Sequence, residues 1–465
     1  MFRMWLKRLS WPVALMVGSI LVAGCSSSTD GEQSGLTKAP TAVATIVTDL
    51  APGTPVVTKT AETAVPASTP VATQTPSVPQ LALPVVIERP GDVTQLSVSG
   101  GTFVGDSTHE YGIAYHPQSH LFYADGWYAQ YFNGTNAVLA YSKDGTEFTR
   151  RSKLNHVPVS YGQAAYFVDG HLYVVYPDSN GMKIFVRRGT VDQGSVLIGA
   201  PREVVDMENS FMAKVPSLIF DAKGVPHIVF SSLEGVTTGG SRWRAWMAHA
   251  TSKDLSAWSE PTAFADLLSP TMEAGASTSG VFVGDDLVLA YEVLNKFYVI
   301  TDMSTDLPSL TDTFKGTHDY AMVVDGDRLH VVYHGEVEGG SGAMAYRAWS
   351  RSTGWSERVF LGQASPHHTA LALDNAGNVW VFYGERRSVR VRVLRSGADQ
   401  FEAARCPIET LEPDLASHAW LNAAAGRENT SEVGLLWIEL PSEKWNVRFR
   451  TFTLDEVMAL PTCAA

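Results

Sequence analysis

Four segments of this chain follow one grammar: YFVDGHLYVVY from Tyr166, LIFDAKGVPHIVF from Leu218, MVVDGDRLHVVY from Met322 and LALDNAGNVWVFY from Leu371. Each is an apolar run, a tight turn of Asp, Gly or Asn, and a second run alternating through β-branched and aromatic residues, which is the pattern of a β-hairpin. Three weaker copies begin at Ile113, Val281 and Leu421 and bring the count to seven, about fifty residues apart. Further strands follow in AVLAYSKDGTEFTRRSKL and RAWMAHATSKDLSAWSEPTAF, and no convincing amphipathic helix separates the copies. Such a unit predicts an all-β fold, a β-propeller of seven four-stranded blades. Six blades are the alternative, because the spacings from Lys214 to Ser277 and from Ser277 to His318 depart from the others. A repeat also explains how a stretch as long as residues 91–465 finds a core, since it spreads that core over similar units.

The last copy ends before its outermost strand, whereas DVTQLSVSGGTFV, Asp92 to Val104, has strand character and no partner. An N-terminal strand that completes the last blade would close the ring without an open edge. Composition sets the boundary of this domain: ten of the 12 tryptophans and all 16 tyrosines lie beyond residue 90. Residues 25–90 are instead a Thr/Pro-rich tract without aromatics, which cannot bury enough apolar surface to offset its ordering entropy and is expected to be a disordered linker.

Residues 1–24 carry Arg3, Lys7 and Arg8 around the short apolar run WPVALMVGSILVAG, the pattern of an export signal. VAGC, Val22 to Cys25, resembles the lipobox of bacterial lipoproteins. That resemblance implies cleavage before Cys25, a lipid on its thiol, and a cell-envelope address with the remainder outside the cytoplasm. Cys406 and Cys463 are then left over, and in an oxidising compartment such a pair is expected to form a disulfide.

SKDGTEF and SKDLSAW align without a gap, and here the chain resembles the BNR or Asp-box propellers that include the sialidases. In that family the box is a hairpin turn whose Asp bonds backbone amides and whose aromatic residue packs between blades. The matching residues are Ser142, Asp144 and Phe148, and Ser252, Asp254 and Trp258. The box is structural in the family and implies no catalysis. The sialidase arginine triad finds no match: Arg244 and Arg347, in the repeated RAW, read as strand residues.

Counting back seven residues from each turn gives one position per blade: His109, Gly162, Lys214, Ser277, His318, His367 and His418. Four of the seven are histidine in a chain with only 13. Innermost strands line a propeller's channel, so these positions, with Tyr111 and Tyr320 two residues beyond their histidines, are the candidate channel-mouth site. Three readings stay open: a polar channel filling copied between blades, a binding site for an extracellular ligand, and His/Tyr acid–base chemistry. SPHHTALALDNAGNVWVFYGERR from Ser365 resembles the histidine-bearing blades of some propeller polysaccharide lyases. That likeness implies His367 and His368 as acid or base and Arg386 or Arg387 as anion clamps.

There is no GxSxG elbow, P-loop, GxGxxG or CxxC, and nothing points to a cofactor or a metal. A net charge of -13 argues against nucleic acid as partner. The expected partners are an extracellular glycan, most readily, or an envelope protein, with the membrane reached through the lipid. The chief alternative is a carbohydrate-active enzyme working at the channel mouth, and the third reading is an envelope interaction scaffold.

Overall fold

The computed structural model describes residues 100–113, 118–156, 162–207, 212–235, 241–269, 277–293, 296–301, 312–336, 342–363, 369–385, 388–408, 420–439 and 444–463. The leader, Cys25 and the linker tract lie outside the described residues, so the account below concerns the second of the chain's two compact units, Pro76–Ala465. Within it, seven small four-stranded antiparallel sheets form a ring, a seven-bladed β-propeller.

Each blade grows outward from an innermost strand by successive hairpins. Blade one is Leu121–Tyr123, Trp127–Phe132, Asn136–Ser142 and Arg150–His156. Blade three is Met212–Phe220, Pro226–Gly235, Ser241–His249 and Thr262–Ser269. Blades two and six repeat that order, with innermost strands Ala164–Val168 and Thr369–Leu373. Blade two carries one extra strand, Ser195–Ile198, on the outer half of its third strand.

Blades four and five share a single strand, Asp312–Asp325. Its first residues pair with Lys296–Ile300 as the outermost strand of blade four, and its last pair with Arg328–Glu336 as the innermost strand of blade five. With no loop between those two blades, the spacing to His318 is compressed, which accounts for the irregular interval without removing a blade.

Closure occurs in blade seven. Thr102–Ser107 pairs antiparallel with Trp445–Thr453, outside Glu432–Glu439 and the innermost Leu421–Ala425. The N-terminal strand thus completes the last blade, and the ring has no free seam there.

Because the blades stack face to face, both faces of each sheet are buried against neighbours. The core is accordingly divided into seven clusters, one between each adjacent pair of blades. Between blades seven and one, Trp127 packs on Phe449 at 5.0 Å. Between four and five, Phe297 stacks on Tyr320 at 4.3 Å. Aromatic residues on second and third strands are large enough to bridge the wedge that opens between blades away from the axis.

The chain finishes with a short helix, Leu454–Ala459, capped by Thr453 Oγ1, which accepts from Glu456 N. Val457 of this helix is fully buried between blades six and seven. Cys406, on the outermost strand of blade six, and Cys463 form a disulfide. Beside it Cys463 N donates to Ala404 O, and Arg405 donates to Leu460 O.

Candidate functional site

All seven innermost strands begin at the same end of the ring, called the mouth below. Beneath it the channel holds a cavity of about 250 Å³ lined by residues of every blade. One side of its wall is polar and cross-bonded. Gln118 Nε2 of blade one donates to Pro216 O of blade three, and Asn422 Nδ2 of blade seven donates to Gln118 O. His120 N donates back to Asn422 Oδ1, Ala165 N to Ser119 O, and Ser217 Oγ to Thr278 O. The opposite side, from blades five and six, is apolar: Ala321, Met322, Ala370 and Leu371. The Tyr166 hydroxyl lies among the backbone of Leu218 and Ser119 and the Ser217 side chain, and burial raises its pKa above the ordinary phenol range. This waist is a self-bonded belt that ties blades seven, one, two, three and four together.

The entrances of the innermost strands differ from the sequence expectation in three respects. First, the hairpin turn of blade one is at Asp125–Gly126, with Ala124 N bonded to Gly126 O, so the residue equivalent to the other blades' positions is the buried Gln118. His109 lies instead just beyond the closing strand, exposed, where Ser107 Oγ donates to His109 O and accepts from His109 N. Tyr111 belongs to the 3-10 turn Glu110–Ile113 that follows. Both sit toward the mouth end, on the rim between blades seven and one, and not at an innermost strand. THEY and THDY are therefore not copies of one structural element.

Second, Tyr320 does not line the channel. It is 1% exposed and stacked on Phe297 in the core between blades four and five. Alternation along an innermost strand switches a side chain between the two neighbouring blades, because the channel sees the edge of each sheet and not its face. Third, the pairing register shifts between Gly316 and Tyr320, so the orientation of Tyr320 does not carry over to His318.

His318 and Lys214 keep their register positions, on the strands Asp312–Asp325 and Met212–Phe220. His367, His368, His418, Arg386 and Arg387 lie outside the described residues. Of the expected histidines, His318 is the one that keeps an innermost-strand register position among the described residues.

Two backbone features tighten the mouth at blades two and three. Gly162 has φ +71°, and a Cβ there would stand 2.8 Å from Gln118 Nε2 and 2.9 Å from Val215 Cα. Val215, β-branched and ahead of a proline, holds φ 49° at the register shift between Lys214 and Ser217. Such a backbone costs on the order of 1–3 kcal/mol and persists only where its surroundings enforce it.

A second set of mouth-end residues escaped the sequence reading. In blades three to seven the second strand ends at or beside a glutamate: Glu234, Glu292, Glu336, Glu385 and Glu439. The signal is in the sequence as SLEG, AYEV, YHGE, FYGE and WIEL, each directly or shortly after the hairpin's second run. Glu439 is nearly fully buried, and its Oε1 accepts from Arg448 Nε at 2.6 Å.

The Asp-box-like turns occupy the opposite end. Asp144 Oδ1 accepts from Thr146 N and Oγ1, and Ser142 Oγ from Gly145 N, while Phe148 is buried against Phe449. Asp254 Oδ1 accepts from Ser256 N and Oγ, and Ser252 Oγ from Ala257 N. Hydrogen bonds from Ser256 and Ser252 hold the Asp254 carboxyl down at about 2. Arg244 and Arg347 lie on third strands, over the rings of Trp246 and Trp355, away from the channel. Among the described residues no group of three His, Cys, Asp or Glu side chains could hold a metal ion, and no helix is long and apolar enough to cross a membrane.

No protein-family model matches the sequence, and no curated protein matches it. Among solved structures, the chain is similar to the Hadza microbial sialidase Hz136, at 13% identity and TM-score 0.40, over 73% of this chain and 75% of that one. It is similar to an α-L-arabinanase of Penicillium chrysogenum complexed with arabinobiose, at 11% identity and TM-score 0.45, over 78% of this chain and 100% of that one. An α-L-arabinofuranosidase of Fusarium graminearum gives 11% identity and TM-score 0.44 over the same shares. At this level of identity and superposition the likeness says nothing about what this chain binds.

Proposed function

We propose that this is an envelope lipoprotein, anchored through Cys25 and carried on the tract 25–90, whose propeller binds an extracellular glycan at the channel mouth. The observation that carries the reading is the concentration of polar residue types at strand positions at one end of the ring, above a cross-bonded waist. Inner-strand positions with imidazole or ammonium groups, His318 and Lys214 among them, and second-strand ends with five glutamates share that end. Strand positions that carry donor and acceptor residue types at one end of a channel suit a polyhydroxylated ligand better than an apolar one.

The enzymatic alternative draws on the same residues. A glutamate and an imidazole at one mouth are the groups needed to move a proton at a glycosidic oxygen or beside a uronate carboxylate.

The test takes the full chain in detergent, as wild type and as His318→Ala, against uronate, sialylated and neutral polysaccharides, recording both binding and product release. Binding without product, weakened in the variant, is the expected result. Product formation that the variant loses would make the protein a carbohydrate-active enzyme, and absence of both signals would sink the glycan reading in favour of a protein partner. Anchoring is tested separately: Cys25→Ala should abolish incorporation of radiolabelled fatty acid and shift the protein out of the membrane fraction.

A further inference from the structure

On the outer side of the ring, blade two's outermost strand, Arg202–Asp206, and the Asp-box hairpin of blade three enclose a groove of about 430 Å³. That volume falls within the range of about 300–1,000 Å³ usual for small-ligand sites. Trp246 and Trp258 line it together with Glu203, Asp206, Ser259 and Glu260.

The hydrogen-bonding capacity of the groove is one-sided. Trp246 Nε1 already donates to Ser232 Oγ and Trp258 Nε1 to Leu255 O, so the two indoles offer carbon surface and no donor. The remaining polar side chains are three carboxylates and a hydroxyl, and Ser259 Oγ itself accepts from His249 N. A ligand that fits must therefore bring apolar C–H surface for the rings and several donors for the carboxylates.

Charge narrows the class further. Lys183 Nζ lies 2.9 Å from Glu203 Oε2 and 2.5 Å from Asp206 Oδ2, and the Arg244 guanidinium sits 5.7 Å from the Trp246 ring centre. Lys183 thus engages two of the three carboxylates, and the remaining excess of carboxylate argues against an anionic ligand, leaving a neutral hydroxyl donor to be separated from a cation by the choline arm below. Glu260, exposed, has no hydrogen-bond or ion-pair partner among the described residues. We infer that this inter-blade groove is a second, lateral binding site for a neutral sugar residue, stacked on Trp258 and Trp246 and donating hydroxyl hydrogen bonds to Glu260 and its neighbours. The inference does not depend on what the channel mouth binds.

The experiment titrates the full chain in detergent with neutral glucan, mannan, galactan and arabinan tetraoses, with choline as a cationic probe, following tryptophan emission and heat. At least one tetraose should shift the emission and bind at micromolar to millimolar concentration. Glu260→Gln lies outside the core and should weaken that binding about tenfold, as expected for loss of a charged hydrogen-bond partner. Trp258→Phe, which keeps a packed ring, should weaken it while leaving the melting temperature near wild type. The inference is overturned if no tetraose binds at millimolar concentration, if choline binds more tightly than every sugar, or if both groove variants bind as wild type.

Discussion

The Cys406–Cys463 bond allows the most direct energetic test of the architecture. It joins residues 57 apart, and between them the chain builds all of blade seven that does not come from the N-terminus. Loop-closure entropy for a ring of that length is about 14 cal/mol/K, which corresponds to about 4 kcal/mol at 25 °C removed from the unfolded ensemble. For a domain of about 360 residues, unfolding entropy near 2.1 cal/mol/K per residue totals about 0.8 kcal/mol/K, so losing the bond should lower the melting temperature by about 5 °C. Calorimetry of wild type and of Cys406→Ser/Cys463→Ser, each with and without reductant, provides the assay. Reductant should bring wild type down to the variant and leave the variant unmoved. A variant melting within about one degree of an oxidised wild type would refute the reasoning. It would mean that the tail detaches before the ring unfolds, so that the crosslink restrains nothing in the cooperative unit.

Other predictions concern single groups. Gly162→Ala introduces both an unfavourable left-handed backbone and a clash with Gln118 and Val215; it should cost about 1–2 kcal/mol by denaturant titration and disturb the mouth more than the rim. Asp374, 3% exposed, accepts from Ala376 N and Asn378 N through Oδ1 and from Asn378 Nδ2 and Trp380 Nε1 through Oδ2. Asp374→Ala strands those donors and should destabilise blade six by about 2–5 kcal/mol, whereas replacing an exposed turn acid such as Asp327 should cost under about 0.5 kcal/mol. His330 is 2% exposed with Nδ1 at 2.7 Å from the Tyr346 hydroxyl, and burial, then repulsion from Arg328, push its pKa down to about 4. The unfolded chain therefore binds this proton more tightly, and the associated stability is whole above about pH 6.5 and lost as pH falls toward 4. The loss is on the order of 3 kcal/mol, and His330→Gln should flatten the pH dependence of stability across that window.

The hairpins were legible because their information is local. A turn of Asp, Gly or Asn between two alternating runs specifies itself within a dozen residues, and only its repetition was needed to reach a ring of seven. Blade one was misaligned because HPQ at His116 imitates a turn, whereas the true turn, Asp125–Gly126, follows an innermost strand of only three residues. The placement of Tyr320 failed for a different reason. Period-two alternation says that neighbours on a strand face opposite ways, but not what lies on either side, and in a propeller both sides are other blades. The glutamates at the second-strand ends are less legible, because the recurring acids stand at different offsets from the first turn of each copy.

The closing strand also decides how the ring meets mechanical load. Thr102–Ser107 runs toward the mouth, opposite Phe449 to Trp445, so the preceding chain enters it from the far end. Tension drawn through that chain, against the rest of the ring, acts along the strand axis. The five paired positions then resist in shear together instead of peeling apart one after another. Blade seven becomes the fuse of the molecule: it bears the pull as a block, and its rupture turns a closed ring into an open, extensible string of blades.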